Sequence, residues 1–328
     1  MKAYEELTER GKLRRLRLLS LNALGQYNIR VKRVRFLTTE TNTMFRVDAG
    51  DGQRYVLRIY SAEETTLQDN LAEVFWLDAL RNDTDLNVVE PVARRDGKYI
   101  TTVSIPGVPG KRRCVLFKWV PGRCAGDSPD PEMYYQLGQI TAKLHHHAST
   151  LILPQGISPK RWDKVFYYPD EPVVYLSESY RHVFSSERVA LLATVIERAE
   201  RLLTDLHQDE AGRMLIHGDL HFWNVHSYRG RLTVIDFEDV MLGYPVQDVA
   251  VTFYYGRDRE DYRELCAAYQ QGYTDLRPWP VVGAGQLETL MAARRVMFIN
   301  YVARIWPDPE EFIEQSCQRL RRFVETYA

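Results

Sequence analysis

The sequence predicts an α+β protein in two lobes, and three features of its pattern carry that reading. Residues 29–60 alternate apolar and polar positions around turn residues, the two-residue period of half-buried antiparallel strands. Residues 68–81 repeat instead at helical spacing. Beyond Pro121-Gly122 the chain turns mainly helical, interrupted by two short apolar runs between Met214 and Ile235. An antiparallel β N-lobe with one long helix (1–118) and a larger, mainly helical C-lobe (119–328) accommodate all three. A length of 328 residues is long for one core and comfortable for two.

Composition narrows the class. The chain is 45% apolar and 27% charged, as ordinary globular proteins are. A formal net charge of −1 gives no drive towards nucleic acid or an anionic membrane. Cys114, Cys124, Cys266 and Cys317 are widely spaced with no C-x-x-C pair, which fits a reducing cytosol better than disulfides or a zinc site. No apolar run approaches the ~20 residues of a spanning helix. The basic cluster Arg10 to Arg17 precedes an apolar run, but Glu5, Glu6 and Glu9 come before it and Asn22 interrupts the run. A surface helix in a cytoplasmic protein is the expectation.

Taken in order, residues 3–25 read as a helix closed by Gly25, and Val31–Phe36, Met44–Val47 and Tyr55–Ile59 as a three-stranded meander. Gln68–Arg81 follows as a helix with Leu71, Val74, Phe75, Leu77 and Leu80 on its core face. Val88–Val92 and Lys98–Ser104 read as strands, the first demoted towards an edge by Pro91. Arg113–Val120 is a buried strand that ends at Pro121-Gly122. Asp130-Pro131-Glu132 opens a helix to about His147. His145, His146 and His147 are consecutive and point in three directions, a poor arrangement for a metal. A loop (Leu153–Pro172), a helix at Glu187–Leu206 capped by Ser185 or Ser186, a helix opened by Tyr244-Pro245, and two final helices at 286–304 and after Asp308 complete the chain.

The stretch from Arg213 to Ala250 bears the chemistry. An apolar run leads into His217-Gly218-Asp219, Asn224 follows that aspartate by five positions, and a hairpin turning at Arg229-Gly230 delivers Asp236-Phe237-Glu238-Asp239. Two carboxylates and an amide at the ends of short buried strands are a burden that folding does not require. Phosphoryl transfer does require them: a group to orient the acceptor hydroxyl, and oxygen ligands to hold Mg2+ against the phosphates. The plainer reading, Asp and Asn capping turns, has to explain three coincident placements at once.

HGDLHxxN followed by Asp-Phe resembles the aminoglycoside phosphotransferase and choline kinase-like family, which includes homoserine kinase-like and stress-response kinases. The resemblance implies a bilobal protein kinase-like fold, ATP and Mg2+ as cofactors, Asp219 as catalytic base, and Asn224 and Asp236 as metal ligands. It places Arg58 in the position of the phosphate-binding cation and Glu73 as its helical partner, with Glu63 and Glu64 as competitors. An exposed Arg58 paired with Asp51 is the alternative. The connection Thr38–Thr43 lacks the glycines of protein kinases, so Asn42 and Thr43 are its phosphate-contact candidates unless it is a simple polar turn. Phe117, Lys118 and Trp119 occupy the crossing that meets the adenine edge. Trp223, Glu238, Asp239, Tyr254, Tyr255 and Trp306 are candidates for the acceptor site, where carboxylates and aromatic faces would hold an amine. Each such aromatic is more often core than contact. Many relatives have glycine at the position of Trp223, so its indole should reshape the pocket. Asp248 should anchor the catalytic loop rather than touch substrate.

The implied activity is transfer of the ATP γ-phosphate to a hydroxyl of a small molecule: an amino alcohol, a sugar, homoserine or an aminoglycoside-like compound. The partner is that acceptor, with no nucleic acid and no membrane, and the protein is a monomer or homodimer. A stress-response type protein Ser/Thr kinase and a nucleotide-binding pseudokinase are the alternatives. The second draws on Arg58 and the glycine-free loop.

Overall fold

The computed structural model describes residues 2–61, 65–168 and 171–327. Its chain divides into two compact units, one of Met1–Arg123, Pro154–Ser158 and His226–Glu238, the other of Cys124–Leu153, Pro159–Val225 and Asp239–Ala328. The sequence puts one border between 118 and 119; the chain parts after Arg123 and returns twice to the first unit.

The first unit is built on a five-stranded antiparallel sheet. Its strands are β1 (Val31–Thr39), β2 (Thr43–Ala49), β3 (Arg54–Ile59), β4 (Thr101–Val103) and β5 (Arg112–Lys118), in the order β1-β2-β3-β5-β4. Two helices accompany it rather than one. Helix α1 (Glu9–Leu24), capped by Thr8, sets Leu16, Leu19, Ala23 and Leu24 against Val34, Phe45, Val47 and Leu57 of the sheet. Helix α2 (Leu67–Asp83) starts with a reciprocal cap between Thr66 and Asp69. Its buried residues are Asp69, Asn70, Ala72, Glu73, Val74, Trp76, Leu77 and Leu80, while Leu71 and Phe75 are half-buried. The stripe is thus rotated from the expected one, because the buried face includes a charged residue that a hydrophobicity pattern reads as wet.

The expected strand at 88–92 is reduced to isolated bridges, Val88 with Val234 and Pro91 with Phe117. Pro91 has no N–H to continue a ladder. The Val88 bridge has a use. Val89 N donates to Val234 O at 2.9 Å and Val234 N to Asn87 O at 3.0 Å, which pins the chain just before Asp236. The two-residue strand β6 (Arg123–Cys124) marks the exit from this unit.

The second unit is mainly helical: α3 (Pro131–Thr150), α4 (Ser186–Leu206), α5 (Pro245–Gly256), α6 (Tyr262–Thr274), α7 (Ala284–Ile305) and α8 (Glu310–Tyr327). The sequence pattern does not single out α6. Strands β7 (Met214–Ile216) and β10 (Met241–Gly243) pair antiparallel within it. Between them in sequence, β8 (Val225–Tyr228) and β9 (Arg231–Val234) form a hairpin. Arg229 and Gly230 both have positive φ (52° and 75°), as a primed two-residue turn demands. No helix among the described residues is long and apolar enough to cross a membrane.

Candidate active site

In the first unit, the candidate residues gather around Arg58 of β3. This arginine is not an exposed partner of Asp51, whose side chain accepts from Gln53 N; it is only 5% exposed. Nη1 meets Glu73 Oε1 at 2.7 Å and Nη2 meets Asp236 Oδ1 at 2.6 Å, while Glu238 Oε2 lies 3.8 Å from Nη1. The rings of Phe117 and Tyr60 flank the guanidinium. Tyr60 Oη donates to Glu73, whose carboxyl titrates above its ordinary range because burial outweighs the cation and the phenol. The competing Glu63 and Glu64 lie outside the described residues.

Asp236 holds a left-handed conformation (φ 62°), which a non-glycine residue adopts only when its surroundings impose it. Its side chain keeps 29% exposure, unlike Glu73 at 0%. Glu73 balances Arg58, so Asp236 and Glu238 together leave an excess of negative charge on hard oxygen donors. Among the described residues no three His, Cys, Asp or Glu side chains are grouped to hold a metal by themselves. The carboxylate oxygens of Asp236 and Glu238 are donors of the kind that fits Mg2+, which takes one or two carboxylates and completes its shell with water and phosphate oxygens.

Elsewhere in this unit the fit is looser. Asn42 is buried and committed, its Oδ1 accepting from Ser61 N at 3.0 Å and its Nδ2 donating to Glu238. Thr43 hydroxyl sits 3.2 Å from that of Thr39. Lys118 N donates to Glu90 O and Trp119 N to Arg54 O, so neither amide is spare for a purine edge. The Trp119 ring is covered by Arg46 and Arg54.

In the second unit, the candidate residues gather around Asp219, at the end of β7. Its backbone approach is set by Asp248 near the start of α5, which accepts from His217 N at 2.9 Å and Gly218 N at 2.8 Å. His145 Nε2 lies 3.0 Å from the same carboxylate, and Tyr273 Oη lies 2.9 Å from His145 Nδ1. One member of the histidine triplet is therefore a buried tie. Gly218 has φ 79°, and a β-carbon there would sit 2.3 Å from Asp239 O.

Three donors converge on the Asp219 carboxylate. His221 Nε2 is 3.1 Å from Oδ2, Asn224 Nδ2 is 3.0 Å from Oδ2, and Arg294 Nη2 contacts Oδ1. Burial alone would raise the Asp219 pKa, but His221 and Arg294 outweigh it and hold the carboxyl well below its usual range. Because Asn224 spends its NH2 on Asp219, its side-chain oxygen is left facing away as a potential cation ligand. The His221 ring stacks on Tyr255, centroids 3.8 Å apart.

The acceptor candidates separate. Tyr255 belongs to the Asp219 cluster, as does Tyr167, whose Oη accepts from Arg294 Nη1 at 3.1 Å. Asp239 pairs with Lys160 at 3.2 Å and accepts from Tyr168 Oη. Tyr254 stacks on Phe298 and carries Arg295 on its face. Trp223 is 52% exposed and its indole lies over Gly126, where a β-carbon would collide with it. Trp306 packs on Phe312. Glu238 sits in the first unit, with Asn42 and Arg58. Arg294, His221, Tyr167, Tyr168 and Lys160 are the neighbours that pattern reading leaves out. Only His221 had a local signal, its place two positions after Asp219.

These features define a class, a protein kinase-like fold with an acidic loop in each unit. The microcompartment-associated aminopropanol kinase is similar in fold, with TM-score 0.76 at 23% identity, over 94% of this chain and 98% of that one. An amicoumacin kinase solved in complex with AMP-PNP, Ca2+ and Ami also gives 0.76, at 18% identity over 96% of both chains. The chain belongs to the phosphotransferase enzyme family, whose profile matches residues 34–279. Amicoumacin kinase of Bacillus subtilis (strain 168) is 25% identical over 242 residues, which is 71% of this chain. The match spans 66% of that relative's length, just under two thirds. Stress response kinase A of Escherichia coli (strain K12) is 22% identical over 305 residues, 88% of this chain and 83% of its own.

Proposed function

We propose that the protein is an ATP-dependent kinase of a small-molecule hydroxyl. The observation that carries this reading is the Asp219 carboxylate, held by His221, Asn224 and Arg294 and kept ionised, in a chain of this family. Asp219 accepts the acceptor's hydroxyl hydrogen and aims the oxygen. That oxygen bonds to the γ-phosphorus as the β–γ bridge bond breaks, ADP departs with the bonding pair, and the hydroxyl proton passes to Asp219. A depressed pKa suits a group that orients first and takes the proton late.

The family resemblance names Asp236 in the first unit and Asn224 in the second as residues that would each hold Mg2+, and the ion would supply charge neutralisation for the phosphates. Arg58, paired with Glu73 and Asp236, is the cation that this reading assigns to phosphate oxygens. Intact Asp219, Asn224 and Asp236 weigh against a nucleotide-binding pseudoenzyme. The names of two relatives, an aminopropanol kinase and an amicoumacin kinase, support a small-molecule acceptor here.

The test is a screen of hydroxylated metabolites with Mg·ATP, read by mass spectrometry for a gain of one phosphoryl group. Asp219→Ala should lower turnover on the acceptor found by at least ~10²-fold while ATP binding is largely kept. Full activity in that variant would remove Asp219 from the role.

A further inference from the structure

Resting on the kinase reading above, we propose that the acceptor carries a carboxylate near the hydroxyl to be phosphorylated, and that Arg294 reads it. Arg294 stands on α7, its side chain 8% exposed, with Nη2 on Asp219, Nη1 on Tyr167 Oη and the ring of Phe298 5.2 Å beneath its Cζ. Among its five N–H donors, the one on Nε is buried with no hydrogen-bond partner among the described residues. Nε and Nη2 lie along one edge of the guanidinium, the edge that matches the two oxygens of a carboxylate. A buried arginine with this edge half satisfied is built for a second anion.

The charges around it point the same way. Asp219 faces Arg294 and Asp239 faces Lys160, so each carboxylate of the cluster already has its own cation. No surplus negative charge is left in the cluster for a polycationic acceptor such as an aminoglycoside. An acceptor carboxylate can instead take the Nε–Nη2 edge, which releases Asp219 Oδ1 to accept the hydroxyl's hydrogen. One exchange at Arg294 thus recognises the anion and readies Asp219. A hydroxy acid, zwitterionic if it also carries an amine, is the substrate class this arrangement selects.

The test uses purified full-length protein with Mg·ATP and a hydroxyl library that contains matched pairs. Examples are homoserine against 3-aminopropan-1-ol, 5-hydroxylysine against 1,5-diaminopentan-2-ol, and glycerate against glycerol, with kanamycin as the polycation. The acids should be preferred in kcat/KM by at least ~30-fold, the cost of removing one member of a buried charge pair. Arg294→Gln should bring that ratio close to one, and Arg294→Lys should restore part of it. Equal or better transfer to the carboxylate-free members, or to kanamycin, overturns this inference and leaves the kinase reading standing. So does an unchanged ratio in Arg294→Gln. If that variant is inactive throughout, the wild-type ratio decides. Absence of transfer to any compound overturns the kinase reading and this inference with it.

Discussion

Asp248 bears on the proposed chemistry only through the backbone that it holds. Its two oxygens take the amides of His217 and Gly218, and His145 completes the set, all of it buried. In Asp248→Asn one oxygen becomes an NH2 that faces donors rather than acceptors. The expected cost is about 3 kcal/mol, the range for disrupting a buried charged network. Urea unfolding should show it as a lower midpoint with an unchanged slope. Turnover should fall while ATP affinity holds, because Asp219 loses its anchor and the first unit is untouched. Wild-type stability in this variant would reduce the network to decoration.

At the scale of elements, the loop between β7 and the 3-10 turn at Phe222–Asn224 depends on one conformation. Gly218→Ala combines a positive φ with a collision against Asp239 O, so it should cost well over the ~1 kcal/mol of an ordinary glycine replacement. Turnover should drop together with the melting temperature; a variant that melts normally and turns over normally would show that the loop can shift without consequence. The same loop explains what was readable beforehand. Asp219, Asn224 and Asp236 are spaced by local geometry, a strand end, a tight turn and a hairpin, and local geometry leaves a trace in sequence. Arg294 is 75 positions away on a helix that reads as plain core, because its partner is joined to it only by folding. Glu73 is named as the partner of Arg58 by resemblance and left off the α2 core stripe by pattern, because a carboxylate paired with a buried cation looks solvent-facing to any scale of hydrophobicity. Val88–Val92 had strand composition, yet with Pro91 in its middle it could form only bridges.

For the whole molecule, the decisive quantity is how ligand binding feeds into stability. A nucleotide bound only by the folded protein stabilises it by mass action, by about 2.7 kcal/mol at a concentration 100 times Kd. The carboxylates Asp236 and Glu238 exceed the positive charge left on Arg58 once Glu73 is paired, so ATP without a divalent ion meets repulsion there. Melting temperature should therefore rise with Mg2+ and ATP together and return towards the apo value when EDTA is added. Asp236→Ala should abolish most of the rise, whereas Asp219→Ala should keep it, since the role proposed for that carboxylate is with the acceptor. Differential scanning fluorimetry across an ATP titration measures all three. A full rise in EDTA, or in Asp236→Ala, would mean that nucleotide binds without the metal set assigned here. Loss of the rise in Asp219→Ala would tie that residue to the nucleotide and undo the division of labour between the two acidic loops.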